Sequence, residues 1–148
     1  MNWRDAYLHL LKHTLAFTLW PEPIVPASAG SFQGSGLTIL FLTALEKLAS
    51  LAGLMLAKNA GVTTAEREEG RVWRYFPDTM IGLHRLENIQ QCVESVLRNH
   101  VPGDLIETGA WRGGACIFMR GLLAAHGVAD RKVFVADSFE GLPPSNAD

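Results

Sequence analysis

Residues 104–114 read Asp-Leu-Ile-Glu-Thr-Gly-Ala-Trp-Arg-Gly-Gly, and this stretch decides the fold of the chain. A short apolar strand carries the carboxylate of Glu107 into a glycine-rich turn that opens a helix. Residues 132–137 read Lys-Val-Phe-Val-Ala-Asp and have the pattern of a second buried strand, which also ends in a carboxylate, Asp137. The two segments and the helix between them predict a strand–helix–strand unit of an α/β fold.

The two carboxylates are predicted to lie at the same edge of the sheet. A crossover of this length between parallel strands is right-handed, so the carboxyl ends of both strands face one edge. Folds of this kind bind their ligands at that edge. Glu107 and Asp137 therefore indicate a cationic ligand that carries a ribose, with the alternative that the glycine turn is only structural.

The glycine pattern of the turn separates two classes of cofactor. A dinucleotide pyrophosphate needs bare backbone N–H groups, whereas this turn carries Trp111 and Arg112 between its glycines. S-adenosylmethionine has a sulfonium and an ammonium group that favour a carboxylate such as Glu107. Its own carboxylate can use the helix N-terminus or Arg112, and its two ribose hydroxyls can use Asp137. The pattern favours S-adenosylmethionine, and a nicotinamide dinucleotide stays as an alternative.

Composition and charge narrow the classes of partner. Of the 148 residues, 48% are hydrophobic and 19% are charged, which is typical of a globular domain with a sizeable core. The formal charge of -2 provides no basic field for nucleic acid, so a small molecule is the expected partner. Cys92 and Cys116 stand apart from any metal-binding or disulfide motif, which indicates a reducing compartment, the cytoplasm.

The first half of the chain carries two predicted helices. Leucines at helical spacing predict the first helix near Arg4–Leu19, stopped by the prolines that follow it. The apolar stretch Leu37–Ala57 has about the length of a membrane span, but Glu46 and Lys47 in its middle argue against one. We expect a buried or lid helix there, with a membrane-surface or subunit contact as the alternative. A charged connector is expected over Thr63–Gly70.

A third helix follows Pro77 and is expected to pack beside the strand that carries Glu107. Asp78 or Thr79 can cap its start, and the helix ends before Pro102. Its apolar face is predicted to consist of Leu83, Leu86, Ile89, Val93 and Val96. The helix that follows the glycine turn is expected to cover the sheet with Ile117, Phe118, Leu122 and Leu123.

Several motifs in the second half resemble those of the macrocin O-methyltransferase family. The resemblance runs over about residues 75–144, and its most specific parts are Thr79-Met-Ile-Gly82, Glu107-Thr-Gly-Ala-Trp-Arg-Gly-Gly114 and Asp137-Ser-Phe-Glu-Gly-Leu-Pro-Pro144. It implies an enzyme that uses S-adenosylmethionine and Mg2+ to methylate a hydroxyl of a sugar or small natural product. It also implies an α/β fold with a partial Rossmann-like class I methyltransferase sheet, preceded by an N-terminal helical extension.

The resemblance further implies which residues bind the cofactor. They are Thr79, Met80, Glu107, Thr108, Gly109, Ala110, Trp111 and Asp137. Considered without the resemblance, Thr79 fits a helix cap, Met80 a core side chain and Trp111 a packing anchor. Asp78 stands where the family usually has a histidine, so no role is carried over to that position.

The resemblance also divides the chain into two parts. Residues 1–76 are expected to form a helical N-terminal extension or lid, and residues 77–148 the first part of an S-adenosylmethionine-binding domain. The family's metal-binding acids and catalytic base come from a later portion, so neither a catalytic residue nor a Mg2+ ligand is named here. We therefore expect the N-terminal part of a methyltransferase, either a fragment or a truncated gene product.

Two interpretations of the function follow. The first is an S-adenosylmethionine-dependent O-methyltransferase whose partner is a small-molecule hydroxyl acceptor, with a homo-oligomer left open. The second is a truncated, catalytically inactive binding or assembly module, in which another chain pairs with the exposed edges of the sheet.

Overall fold

The computed structural model describes residues 1–21, 24–27, 36–71 and 77–141. In chain order the elements are α1 (Trp3–Leu15), β1 (Ile24–Pro26), α2 (Gly36–Leu51), β2 (Ala57–Asn59), α3 (Thr64–Glu68), α4 (Leu83–Arg98), β3 (Leu105–Thr108), α5 (Gly114–Ala125) and β4 (Val133–Ala136). Strands β1 and β2 pair in one small antiparallel sheet, and β3 and β4 pair in a parallel one. The described chain is therefore of the predicted α/β class.

The chain divides into two compact units. The first unit consists of Met1–Leu19 together with Ala65–Asp148, and it contains the parallel sheet with α1, α4 and α5. The second unit is Trp20–Thr64, and it contains α2 and the antiparallel sheet.

The parallel sheet of the first unit follows the prediction closely. Glu107 pairs with Val135 and Thr108 with Ala136, and the backbone N–H of Gly109 donates to the carbonyl of Ala136 at 2.9 Å. Because the two strands are parallel and in register, their carboxyl ends lie at one edge. That arrangement confirms the prediction that both strand ends share an edge of the sheet.

Helix α5 forms the centre of the core. It packs against β3, β4, α1 and α4, and its side chains Phe118, Leu122 and Leu123 are fully buried. Each such side chain contributes about 1.5–3 kcal/mol by leaving water. These three residues cover the sheet as predicted, whereas Ile117 is half exposed, and its predicted role in the cover was wrong.

Helix α1 closes one side of this core and ends earlier than predicted. Leu8 and Leu15 are buried in the core, and the Arg4 guanidinium donates through Nε to the carbonyl of Ala125, near the end of α5, at 2.9 Å. The helix ends at Leu15 because Phe17 takes a left-handed backbone conformation with φ of +55°. Helix α1 thus ends before the prolines that were predicted to end it.

Helix α4 begins at Leu83 rather than at the predicted cap, Asp78 or Thr79. Gly82 occupies the N-cap without a side-chain hydrogen bond, while the Thr79 hydroxyl accepts the N–H of Ile81 at 3.2 Å and holds a local turn. The helix packs against α5 and α1. Leu105 of β3 packs against the core cluster that contains Leu86 and Val93 of this helix, and a position directly beside the first strand stays a prediction. The buried residues of α4 are Leu86 and Val93.

The two faces of the parallel sheet differ in cover. Side chains alternate along a strand, so Leu105, Glu107 and Val133 share the face that α5 covers. Ile106 and Phe134 lie on the opposite face and are 63% and 49% exposed. Among the described residues no helix covers that face, and the prediction of two buried strands was wrong.

The second unit differs most from the prediction. Helix α2 ends at Leu51 rather than Ala57, since a turn follows in which Gly53 has a φ of +70°. None of the described residues of α2 is buried, so the buried form of the expected buried or lid helix was wrong, and the lid stays a prediction. In the part of the chain that the structure describes, no helix combines the length and the apolar character needed to cross a bilayer.

Three short elements, β1, β2 and α3, were not predicted from the sequence patterns. Strand β1 lies in the proline-containing stretch after α1, where no strand was predicted, and it pairs with β2 through Ile24↔Asn59, Val25↔Lys58 and Pro26↔Ala57. Helix α3 lies inside the connector expected over Thr63–Gly70. Elements of three and five residues are too short to show a period of two or 3.6.

Two glycines allow the chain to cross itself before α4. A Cβ added to Gly82 would lie 2.1 Å from the carbonyl oxygen of Glu68 and 2.4 Å from the nitrogen of Gly70. Both neighbours are backbone atoms, which cannot move aside as a flexible side chain can. Gly70 also has a φ of +73°, a conformation that L-residues rarely adopt.

We therefore expect Gly82→Ala to lower the free energy of unfolding by about 1–3 kcal/mol, the usual range for overpacking. The measurement is urea denaturation followed by far-UV circular dichroism. Gly36→Ala serves as the matched control, because a Cβ at Gly36 would meet nothing within 4 Å among the described residues. Equal unfolding midpoints for the two variants would contradict the crossing.

Candidate functional site

The candidate site is the edge of the parallel sheet where β3 and β4 end. Glu107 and Thr108 are the last two residues of β3, and Asp137 follows β4 directly. The turn from Gly109 to Gly113 connects β3 to the start of α5. The edge thus combines two carboxylates with a helix N-terminus.

The turn has a left-handed backbone at three positions. Gly109 and Gly113 both have a φ of +78°, and Trp111 has a φ of +49°. The N–H of Gly113 closes the turn by donating to the carbonyl of Ala110 at 2.7 Å. A left-handed conformation at a non-glycine residue costs on the order of 1–3 kcal/mol and is found mainly where the surroundings enforce it. Trp111 is held in this way beside the strand ends.

Asp137 joins the turn to the loop that follows β4. Its Oδ2 accepts the backbone N–H of Ala110 at 2.7 Å, and its Oδ1 accepts that of Phe139 at 3.0 Å. The N–H groups of Phe139 and Ala110 lower the pKa of this carboxyl below its usual range. Each oxygen has a second lone pair, so the predicted contact to ribose hydroxyls is compatible with this role.

Glu107 has a partner that the sequence patterns did not reveal. The thiol of Cys116, the third residue of α5, donates to Oε2 of Glu107 across 2.8 Å. Burial first, and then the hydrogen bond and charge of Glu107, raise the pKa of Cys116 to about 12. The thiol therefore stays protonated at neutral pH. The sequence signal for this contact was the position of a cysteine in the first helical turn after the glycines.

The segment before α4 lies against the start of α5. A Cβ at Gly114 would lie 2.2 Å from the carbonyl oxygen of Asp78 and 2.7 Å from the Cβ of Thr79. Only a glycine allows this approach, and it places Thr79 beside the glycine turn. Thr79 is buried, while Met80 is 40% exposed and so is not the core side chain of the alternative interpretation.

Arg112 makes two contacts within the protein and is exposed, and a contact of its other N–H groups to a ligand carboxylate stays a prediction. Its Nη1 donates to the carbonyl of Pro77 at 3.1 Å, and its guanidinium carbon lies 4.5 Å from the centroid of the Trp111 ring. The arginine thereby links the segment before α4 to the glycine turn. Trp111 remains 38% exposed, so its ring has a surface available for a ligand.

An apolar groove lies on the face of the sheet that carries Glu107. It has a volume of about 490 Å3, and its lining includes Tyr7, Leu11, Cys116, Gly121, Val133 and Val135. The groove runs between α1, α5 and β4. It approaches the site from the side of Cys116 and Val135, the neighbours of Glu107.

The histidine pair of α1 does not form a metal site in the described residues. The rings of His9 and His13 have centroids 4.2 Å apart, and Nδ1 of His13 lies 2.6 Å from the Thr18 hydroxyl. Within the described ranges, no three side chains of histidine, cysteine, aspartate or glutamate come together to hold a metal ion. The described residues thus do not fit the expected Mg2+, and no chemical step is assigned to one.

Comparison with known proteins matches nearly all of the chain to one family. The model of the family described as macrocin-O-methyltransferase (TylF) matches residues 4–148. Demethyldecarbamoylnovobiocin O-methyltransferase of Streptomyces niveus is 65% identical over 82 residues, which are 55% of this chain and 31% of that protein. Mycinamicin III 3''-O-methyltransferase of Micromonospora griseorubida is 53% identical over 98 residues, 66% of this chain and 38% of that protein.

The fold has a counterpart among solved structures. The O-methyltransferase NovP superposes with a TM-score of 0.65 at 43% sequence identity, covering 98% of this chain and 46% of that one. The chain thus spans about a third of the length of the two curated relatives and less than half of the NovP chain.

The carboxylate of Asp137 should make the free energy of unfolding depend on pH in the acidic range. Its lowered pKa means that folding favours the ionised form, so this stabilisation is present above the ordinary value near 4 and is lost as the pH falls through the lowered value. We expect Asp137→Asn, which keeps one acceptor oxygen but no charge, to be less stable than the wild type at pH 6–7. Below about pH 4 the difference should shrink.

Urea unfolding of both proteins at several pH values measures this difference. Asp130→Asn is the control, since Asp130 is exposed and lies outside the site. A wild-type advantage that stays constant from pH 7 to pH 3 would mean that the loop amides do not hold the charged carboxylate.

Proposed function

The chain belongs to the macrocin O-methyltransferase family, and on that premise we propose that it serves the S-adenosylmethionine-dependent methylation of a hydroxyl group on a sugar or another small natural product. Because the chain spans about a third of its curated relatives, the activity of the whole protein is part of this proposal. The observation that carries it is the position of two carboxylates, Glu107 and Asp137, at one sheet edge beside a left-handed turn.

We propose that β3, α5 and β4 are the first part of a Rossmann-like class I methyltransferase sheet. Residues 77–148 would then begin the cofactor-binding domain, and residues 1–76 would be its N-terminal extension. The parallel pairing and the likeness to NovP support this assignment. Helix α1 of the extension packs directly on α5, so part of the extension contributes to the core of the cofactor-binding domain.

The residues at the edge fit the parts of S-adenosylmethionine. Oε1 of Glu107 accepts no hydrogen bond from the described residues, and a carboxylate oxygen in that state attracts the sulfonium and ammonium groups. Asp137 keeps lone pairs for the ribose hydroxyls while its loop contacts hold it in place. When bound, the cofactor supplies an electrophilic methyl group on its sulfonium.

The remaining proposed residues line the same edge from two sides. Thr79 approaches from the segment before α4, where Met80 follows it, and the backbone of Gly109 and Ala110 lies in the turn next to Asp137. Thr108 ends β3 on the opposite face from Glu107, and Trp111 offers an exposed ring. In this proposal these residues bind and orient the cofactor, and no catalytic base is assigned among the described residues.

The class of acceptor follows from the names of the relatives. One relative acts on mycinamicin III at a 3''-oxygen, and another acts at the 4'-oxygen of a tetracenomycin that carries a dimethoxy-rhamnosyl group. A shared acceptor feature is a hydroxyl on a natural product. We therefore propose a glycosylated small molecule as the acceptor of this protein.

Calorimetric titration with S-adenosylmethionine tests the cofactor site. The wild-type chain should bind it, and Glu107→Gln and Asp137→Ala should each weaken binding by about 1.5–3 kcal/mol, the worth of a hydrogen bond to a charged group. Asp130→Asn should bind as the wild type does, because it removes an equal charge outside the site.

Two outcomes would contradict parts of the proposal. Tighter binding of a nicotinamide dinucleotide than of S-adenosylmethionine would exclude the methyl donor. Normal binding without transfer of a labelled methyl group to any desmethyl glycoside would favour the alternative, a binding or assembly module.

A further inference from the structure

Cys116 stands out among the buried groups because its thiol contacts a proposed cofactor residue. Its Sγ lies 2.8 Å from Oε2 of Glu107, and the side chain is 94% buried in the first turn of α5. The hydrogen bonds of the described residues give Glu107 no other donor. The orientation of this carboxylate therefore depends on a single thiol.

The chemistry of the pair makes the thiol a permanent donor. A cysteine at a helix N-terminus ordinarily becomes more acidic, because the helix dipole favours the thiolate. Here burial and the neighbouring Glu107 outweigh the dipole and raise the pKa of Cys116 instead. The S–H bond is thus retained at neutral pH, and it donates to the carboxylate of Glu107.

The position of Cys116 is fixed independently of any ligand. Helix α5 is anchored by Phe118, Leu122 and Leu123, which are fully buried, and by the close approach of Asp78 to Gly114. A donor on such a rigid element defines the geometry of its acceptor better than a donor on a loop. The carboxylate of Glu107 is partly exposed on a strand end and would otherwise be free to rotate about its last torsion.

We propose that Cys116 is a positioning residue whose thiol holds Oε2 of Glu107 and so keeps Oε1 available to the sulfonium group of S-adenosylmethionine. This inference rests on the proposed function, since it assigns a purpose to the same site. Cys116 makes no covalent bond in this role and does not touch the reacting atoms.

The first test compares affinities for S-adenosylmethionine and S-adenosylhomocysteine by calorimetry. Only the first carries the sulfonium charge, so a misplaced Glu107 should affect it more. We expect Cys116→Ala to weaken S-adenosylmethionine binding by about three- to tenfold and S-adenosylhomocysteine binding by less. Cys116→Ser keeps a donor on a similar side chain and should restore most of the loss.

Two further variants define the contact. In the Glu107→Gln background, Cys116→Ala should cause little additional loss, because the charge that it positions is already absent. Cys92→Ala is the control, since Cys92 is an exposed cysteine on α4 and should change neither affinity. Equal losses for both ligands, or no loss in Cys116→Ala, would overturn the inference.

The second test needs no cofactor and separates this inference from the proposed function. In the Cys92→Ala background, the carbon-13 chemical shift of the Cys116 Cβ reports the thiol titration. Glu107→Gln should lower the pKa of Cys116 and leave it above the ordinary value, because burial remains.

An unchanged thiol pKa would show that the contact is absent and would overturn the inference even if S-adenosylmethionine binds. A lowered pKa in a chain that does not bind S-adenosylmethionine would instead uphold the contact and refute the proposed function. If Cys116→Ala fails to fold, Cys116→Ser and the thiol titration decide the question by themselves.

Discussion

The burial of α5 against the parallel strands is the constraint on which the rest of the structure depends. Phe118, Leu122 and Leu123 of α5 leave water completely, and α5 packs on both β3 and β4, whose register pairs Glu107 with Val135. Because the pair is parallel, a single hydrophobic contact surface also brings both strand ends to one edge. The position of two polar groups is thus a consequence of apolar packing several residues away from them.

The two carboxylates at this edge have different environments and therefore suit different tasks. Asp137 accepts two backbone N–H groups, which favour its charge and join the glycine turn to the loop after β4. Glu107 accepts a thiol, a weaker donor, through one oxygen only. Asp137 therefore holds two loops together in addition to any ligand contact. Glu107 keeps one carboxylate oxygen to which no described residue donates a hydrogen bond. This difference supports an assignment of hydroxyl recognition to Asp137 and of cation recognition to Glu107.

Glycines determine how closely the pieces of the site can approach. At Gly114 the missing side chain admits the backbone of Asp78, and at Gly82 it admits the end of α3. The start of α4 was predicted wrongly, since Thr79 was expected to cap a helix that in fact begins at Leu83. Thr79 instead lies against the start of α5. This is a tertiary contact, which local helix propensity does not predict. Likewise, the left-handed residue Phe17 ends α1 before the prolines that looked like its stop signal.

The sequence by itself determined the α/β class, the strand–helix–strand unit and the shared edge of Glu107 and Asp137, because these follow from local hydrophobic periods and from the handedness of parallel crossovers. The family could also be identified from the motifs around these residues. Only the tertiary structure decided which atoms the two carboxylates contact, since Ala110, Phe139 and Cys116 reach them through loop geometry and helix rotation. It also decided that Ile106 and Phe134 lie on an exposed face among the described residues. Exposure depends on the number of layers packed against a strand, and hydrophobic residues alone do not encode that number.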